Sequence, residues 1–318
     1  MRAFARFAWS VLAYNVGVIA WGAFVRATGS GAGCGRHWPT CQGAVVPRAP
    51  AVETMIEYAH RTTSGLSLVL VVALFAWALR AFPRGHGVRA AAAWSLALVV
   101  TEALLGAGLV LFGWVAKDAS AGRGWAMALH LVNTFLLLGA LALTASWSAG
   151  PAGLSRRAPP AVVTALVLGA VTMVFSGVTG AVAALGDTLF PATSLVHGFM
   201  QDLDANGALL LRLRVFHPVA AAAAAAVLLV AARLTARERP EPRVRRAAGA
   251  VTALVLVQLA AGAVNLALLA PVGLQLVHLA LADLAWIALV LLASASLAPG
   301  ASAVPAGAPV AAAAAQRG

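Results

Sequence analysis

Four histidines stand at matched places in a very apolar chain. His60 opens one apolar run and His217 opens another, 157 residues further on. His130 lies just inside a third run and His278 just inside a fourth, 148 residues further on. Imidazole is an ordinary axial ligand for haem iron. Two imidazoles on facing helices at one depth can grip one iron from both sides, the way helix bundles build cofactor sites. Such histidines can also hydrogen-bond neighbouring helices or serve as quinone or proton-relay groups, but repeat-matched placement of all four favours the iron. No Cys-x-x-Cys-His stretch occurs, so a haem here is not held through thioethers. His37, His86 and His197 fall in connecting segments and read as solvated surface.

The surroundings of the four differ. His60 belongs to MIEYAHRTTSG, in which Glu57 precedes it by three residues and Arg61 follows it. Ionisable groups at membrane depth are costly and mark function by default. Positions i and i+3 share a helix face, so Glu57 faces the same centre as His60; Glu57 and Arg61, four apart, can also pair along the helix. Aligning His60 on His217 sets Glu57 opposite Arg214 and Arg61 opposite Pro218. Only the first half therefore carries an acid beside its histidine. Both cysteines also fall there, in Cys34-Gly-Arg-His-Trp-Pro-Thr-Cys41. Facing an oxidising compartment, such a pair reads as a disulfide, structural or redox-active; two free thiols, or a metal site shared with His37, are the alternatives. One haem-like site is equipped for chemistry and its sister is not.

The elements that must hold these groups follow from composition. Hydrophobic residues make up 62% of 318 and charged residues 10%, with mean hydropathy +0.90. A soluble domain carries about 25% charged residues, so the chain is an all-α polytopic membrane protein. Its net charge of +12 is a matter of topology, since nucleic-acid motifs are missing. Eight segments, near 7–26, 58–79, 91–112, 125–147, 161–185, 209–232, 247–270 and 274–297, have the roughly 20 residues a bilayer crossing needs. With the N-terminus inside, 14 of the 22 Lys and Arg lie in cytoplasmic segments, which places both termini in the cytoplasm.

The second half repeats the first: Glu102-Ala-Leu-Leu-Gly-Ala-Gly in helix 3 answers Gln258-Leu-Ala-Ala-Gly-Ala-Val in helix 7, 156 residues on. Four helices per unit is an even number, so both units point the same way, as in parallel transporter repeats. The sequence predicts two pseudo-symmetric four-helix bundles, residues 1–150 and 151–297, followed by a disordered cytoplasmic tail over 298–318. Helices 2, 4, 6 and 8 descend from the outer face, which sets all four histidines within about two turns of that face.

Glu57-x-x-His60-Arg61, the paired His130, His217 and His278, the Cys34/Cys41 loop and the eight helices together resemble the haem A synthase family, in its bacterial type with a cysteine pair in the first outer loop. The resemblance covers about residues 1–297. It implies oxidation of the C8 methyl group of haem O to a formyl group, giving haem A for terminal oxidases. His60 and His130 would then face the iron of substrate haem O, His217 and His278 would bind a resident haem b non-covalently, and Glu57 would be the catalytic acid. Cys34 and Cys41 match the family's disulfide. The partners implied are haem O and haem A, membrane lipid, a haem O synthase and an electron acceptor, with a homo-oligomer allowed, in the cell membrane. One feature departs from the family's pattern: Glu102 and Ala107 stand where a Gln and a second Gly are expected; the outer loop of the C-terminal half has no cysteines, as in some members. The rival classes are a bis-His di-haem cytochrome b and a haem transporter. The lone acid at Glu57 argues against the first, and the lack of helix-interior proline or unwound stretches argues against the second.

Overall fold

The computed structural model describes residues 1–155 and 158–299. The expected tail lies outside the described residues from position 300 onward. Helices run α1 (Arg2–Ala27), α2 (Val52–Ala81), α3 (Gly87–Leu111), α4 (Ala121–Ser148), α5 (Pro160–Leu189), α6 (Leu195–Leu203), α7 (Leu209–Arg214), α8 (Phe216–Glu238), α9 (Pro242–Ala267) and α10 (Val272–Ser296). Among the described residues, eight spans are long and apolar enough to cross a membrane, α7 and α8 together forming the sixth. The chain is a multi-pass membrane protein. A helix satisfies its own backbone groups, which the hydrocarbon core requires.

Local chemistry sets the helix ends. Pro160 and Pro242 each occupy the first turn of a span, where the missing N–H costs nothing. The Ser120 hydroxyl accepts from the Arg123 amide (3.2 Å) and caps α4. Contrary to the expectation that no span holds an interior proline or an unwound stretch, the sixth span is interrupted at Val215. Pro218 explains the break, because it cannot donate to the carbonyl of Arg214 four residues earlier. α2 starts at Val52, six residues before the apolar run. The whole MIEYAHRTTSG stretch is therefore helical, and Glu53 in the first turn suits the positive end of the helix.

α1 packs on α2 and α4, and α3 packs on the same two helices. α5 packs on α8 and α10, and α9 packs on those two. α4 joins the two groups through α5 and α10 and is the most enclosed span, 56% of its apolar window being buried against 17% for α9. At this seam Phe135 stacks on Trp286 with ring centroids 5.1 Å apart. The Trp286 indole donates to the Phe135 carbonyl (2.5 Å), and Trp147 donates to Ser294 (3.0 Å).

Candidate functional site

The four histidines sit six to nine residues beyond the starts of their spans at Val52, Ala121, Leu209 and Val272. All four are half-buried. The rings of His217 and His278 face each other with centroids 6.3 Å apart and planes at 82°. Two metal–nitrogen bonds of about 2 Å each, plus the half-widths of two rings, span a gap of that order. His60 and His130 lie close enough to interact electrostatically.

A haem site has to fit these rings, and two observations support the fit. Nδ1 of His60 and Nδ1 of His278 are buried with no hydrogen-bond partner, and a buried nitrogen left open in this way needs an explanation. A ligand supplies one. Glycines also make room: a Cβ added at Gly22, Gly180 or Gly262 would lie 2.9 Å from Cε1 of His60, His217 or His278 respectively. Each of these rings lies flush on the backbone of the neighbouring helix, α1, α5 or α9. Grooves lined by Arg2, Arg6, His86 and Trp147, and by Trp77 and Arg80, lie at the opposite end of the spans and include none of the four.

Glu57 is 3% exposed. Its Oε2 accepts from the backbone N–H of Cys34 (2.7 Å), and its Oε1 accepts from Arg61 Nη2 (2.5 Å) and Nε (3.1 Å). Arg61 Nη1 also donates to the carbonyls of His37 (2.5 Å) and Thr40 (2.7 Å). The i, i+4 pairing is thus real, and Glu57 is an ion-pair partner as well as a neighbour of His60. The loop that meets it is closed by a Cys34–Cys41 disulfide with S–S 1.98 Å, and both cysteines are buried. Gly33 is required where this loop crosses α2, since a Cβ there would meet the Glu53 carbonyl at 2.5 Å.

The matched position in the other half does different work. Arg214 Nη1 holds Asp187 of α5 (2.8 Å), and its Nε holds Asp202 of α6 (2.7 Å). This guanidinium fastens α6 and α5 to α7. His197 falls in the short helix α6, not in a loop, and is exposed, as is His37; His86 caps α3 by accepting from the Val88 amide (3.3 Å).

Three groups near the site carry more weight than their sequence positions suggest. Glu102 of α3 puts Oε1 2.9 Å from Nδ1 of His130. Arg26 crosses the seam, donating to the Ala184 carbonyl and Thr188 Oγ1 (2.6 Å each) and to Gln275 Oε1 (2.9 Å). Asp283 of α10 is 1% exposed and its Oδ1 has no partner. The signal that finds them is an ionisable residue inside an apolar span.

A family model described as cytochrome oxidase assembly protein (COX15-CtaA) matches residues 5–290. The chain is 51% identical over 255 residues to a protein of Thermus thermophilus named protoheme IX farnesyltransferase, covering 80% of this chain and 42% of that one. It is 44% identical over 96 residues to heme A synthase of Alkalihalophilus pseudofirmus, covering 30% of this chain and 32% of that one. Against heme A synthase of an Exiguobacterium species the identity is 36% over 121 residues, covering 38% and 40%. The chain spans less than half the length of each of these relatives.

Proposed function

Since the chain belongs to the COX15-CtaA family of cytochrome oxidase assembly proteins, we propose that it is a membrane oxidoreductase that converts haem O to haem A. The observation that carries this reading is the asymmetry at Glu57. Four histidines offer two bis-His sites, but a carboxylate tied to a disulfide loop stands beside only one of them. Heme A synthases among the relatives support it.

In this reading residues 1–150 form the substrate bundle and 151–297 the haem b bundle, related as a parallel repeat. His60 and His130 present their nitrogens to the iron of haem O, and His217 with His278 hold haem b. Haem b, when bound, supplies one-electron transfer. Oxidation of the methyl carbon to the alcohol takes up one water and releases two electrons and two protons; oxidation of the alcohol to the formyl group releases two more of each, and an electron acceptor takes the electrons. Glu57 is the residue placed to handle charge. Two anchors, the Cys34 amide and Arg61, fix its carboxylate in a buried setting, where a fixed charge stabilises positive charge developing beside the ring and can accept a released proton. Gly22, Gly180 and Gly262 keep the imidazoles of His60, His217 and His278 against the neighbouring helices, where these rings would hold an iron in a fixed place.

The same reading places the protein in the cell membrane with both termini cytoplasmic and the haem sites near the outer face. A haem O synthase is the natural supplier: one relative is named for farnesylation of protohaem, and more than half of its length lies outside the match. Pigment extraction from the purified protein, followed by chromatography, tests the reading. Haem b together with haem O or haem A is expected. Haem b alone, in equal amounts at both sites, would make the protein a di-haem cytochrome instead.

A further inference from the structure

Among the described residues, Glu102 is the carboxylate that touches a histidine of the four, and it stands where the second half has a neutral amide. Its Oε1 lies 2.9 Å from Nδ1 of His130 and also accepts from Thr134 Oγ1 (2.5 Å). Its Oε2 accepts from the Asn133 amide, which donates as well to the Leu98 carbonyl (2.9 Å). Thr101 Oγ1 closes the set by donating to Asn133 Oδ1 (2.6 Å). The carboxylate of α3 is therefore held by three side chains of α4, one of which, Asn133, is itself tied back to α3. In the second half Gln258 Nε2 is 3.4 Å from Nε2 of His278, and no charge is involved.

A second observation is independent of these contacts. His60, His217 and His278 each lie against a glycine of the neighbouring helix. Gly106, the repeat counterpart of Gly262, has nothing within 4 Å of where its Cβ would stand. His130 alone leaves its glycine, and it leans on Glu102.

We propose that Glu102 is a positioning residue for His130: ligation completes an Nδ1–H···carboxylate bond that presents Nε2 to the haem O iron and makes His130 the most electron-rich of the four ligands. This rests on the reading of His130 as a ligand to the substrate haem. A carboxylate behind a ligating imidazole fixes its tautomer and orientation and raises its basicity. The ring nitrogen now lies at ion-pair distance but out of line for a hydrogen bond, so the bond is one that a turn of the ring makes. The consequence is a functional difference between the bundles. An anionic partner stabilises ferric over ferrous iron, so the substrate haem is held oxidised while haem b, backed by neutral Gln258, is the easier of the two to reduce. Electrons leaving the methyl carbon then have a downhill path out of the substrate bundle. The bland alternative is that Glu102 only glues α3 to α4 through Thr134 and Asn133.

The two are separated by redox titration of the purified full-length protein, loaded with haem O by co-production of a haem O synthase. In Glu102→Gln the ferric-to-ferrous equilibrium at the N-terminal haem should shift about tenfold toward ferrous, which is about 59 mV for one electron. Retention of haem O should fall about 10- to 100-fold, while the C-terminal haem b keeps its potential. Glu102→Asp keeps the charge but withdraws it by one methylene, and should shift the same haem in the same direction. The control is His130→Ala. If that variant alters the N-terminal haem and neither Glu102 variant moves its potential, the proposal is overturned and the ligand reading survives. If His130→Ala leaves that haem unchanged, His130 is no ligand and the proposal falls with that reading.

Discussion

Glu57 owes its fixed position to two very different donors, a backbone amide and a guanidinium, and neither comes from the bundle core. A buried charge with that much support is expensive to keep for stability alone. Glu57→Gln retains size but loses the charge and one of the two acceptor oxygens, so it can accept from Cys34 or from Arg61 but not from both as the carboxylate does. The variant is expected to fold and to keep haem b at His217 and His278, while haem A formation falls by about 10²-fold or more, the scale of losing one electrostatic catalyst. Haem O or the intermediate alcohol accumulates; chromatography of extracted pigment reads this directly, and near-normal haem A would return Glu57 to a structural role. Gly262 makes a complementary case. A Cβ there would meet His278 Cε1 at 2.9 Å, so Gly262→Val should displace the ring and remove the bis-His haem b spectrum. An unchanged spectrum would mean that His278 has room to spare. At this scale the matched placement of the four histidines was legible, because repeat alignment brings them into register, and Glu57 stood out because its counterpart is Arg214. The glycine cradles were not, since close approach between helices leaves no mark on the sequence beyond a glycine among 30. Asp283 and Arg26 stood in plain view as charges in apolar runs, but without partners in the alignment their roles were silent.

In the proposed function the disulfide loop acts on the chemistry through α2. Cys34 lends its N–H to Glu57, and Arg61 reaches back to the His37 and Thr40 carbonyls, so loop and helix hold each other. Removing the bond between positions seven apart costs about 2.5 kcal/mol in a loop-closure account. The eight spans bury the apolar surface, so Cys34→Ala with Cys41→Ala is expected to fold. A hydrogen bond to a charged group is worth about 1.5–3 kcal/mol. Loosening this one should therefore reduce haem A formation about 10- to 100-fold in the double variant, with haem b content unchanged; equal loss of both pigments would show that the loop merely supports the fold. The sequence named the cysteine pair and its loop correctly. It missed that α2 begins six residues early, because Glu53 and Glu57 interrupt the apolar pattern while favouring a helix N-terminus. It also missed α6, whose nine residues are too short to register beside membrane spans.

At the scale of the whole molecule, the two groups of helices meet along α4, α5 and α10, with Trp286, Trp147 and Arg26 stitched across the seam. Many polar bonds cross this contact, and a rocking transporter would have to break them, whereas an enzyme that passes electrons between fixed sites benefits from a rigid seam. Span number and order were legible from hydropathy alone, because lipid demands long apolar helices. The seam was not, because pairing between distant helices depends on which faces carry Trp, Gly and Ser at one depth. In the proposed function one bundle oxidises and the other relays. The most direct test is conversion by the purified full-length protein, reconstituted in lipid, supplied with haem O and an electron acceptor, and followed by chromatography of the haems. Haem O is expected to disappear into haem A through the alcohol, with haem b unchanged throughout. Haem O recovered intact, from protein that holds both haems and reduces and reoxidises normally, would contradict this division of labour.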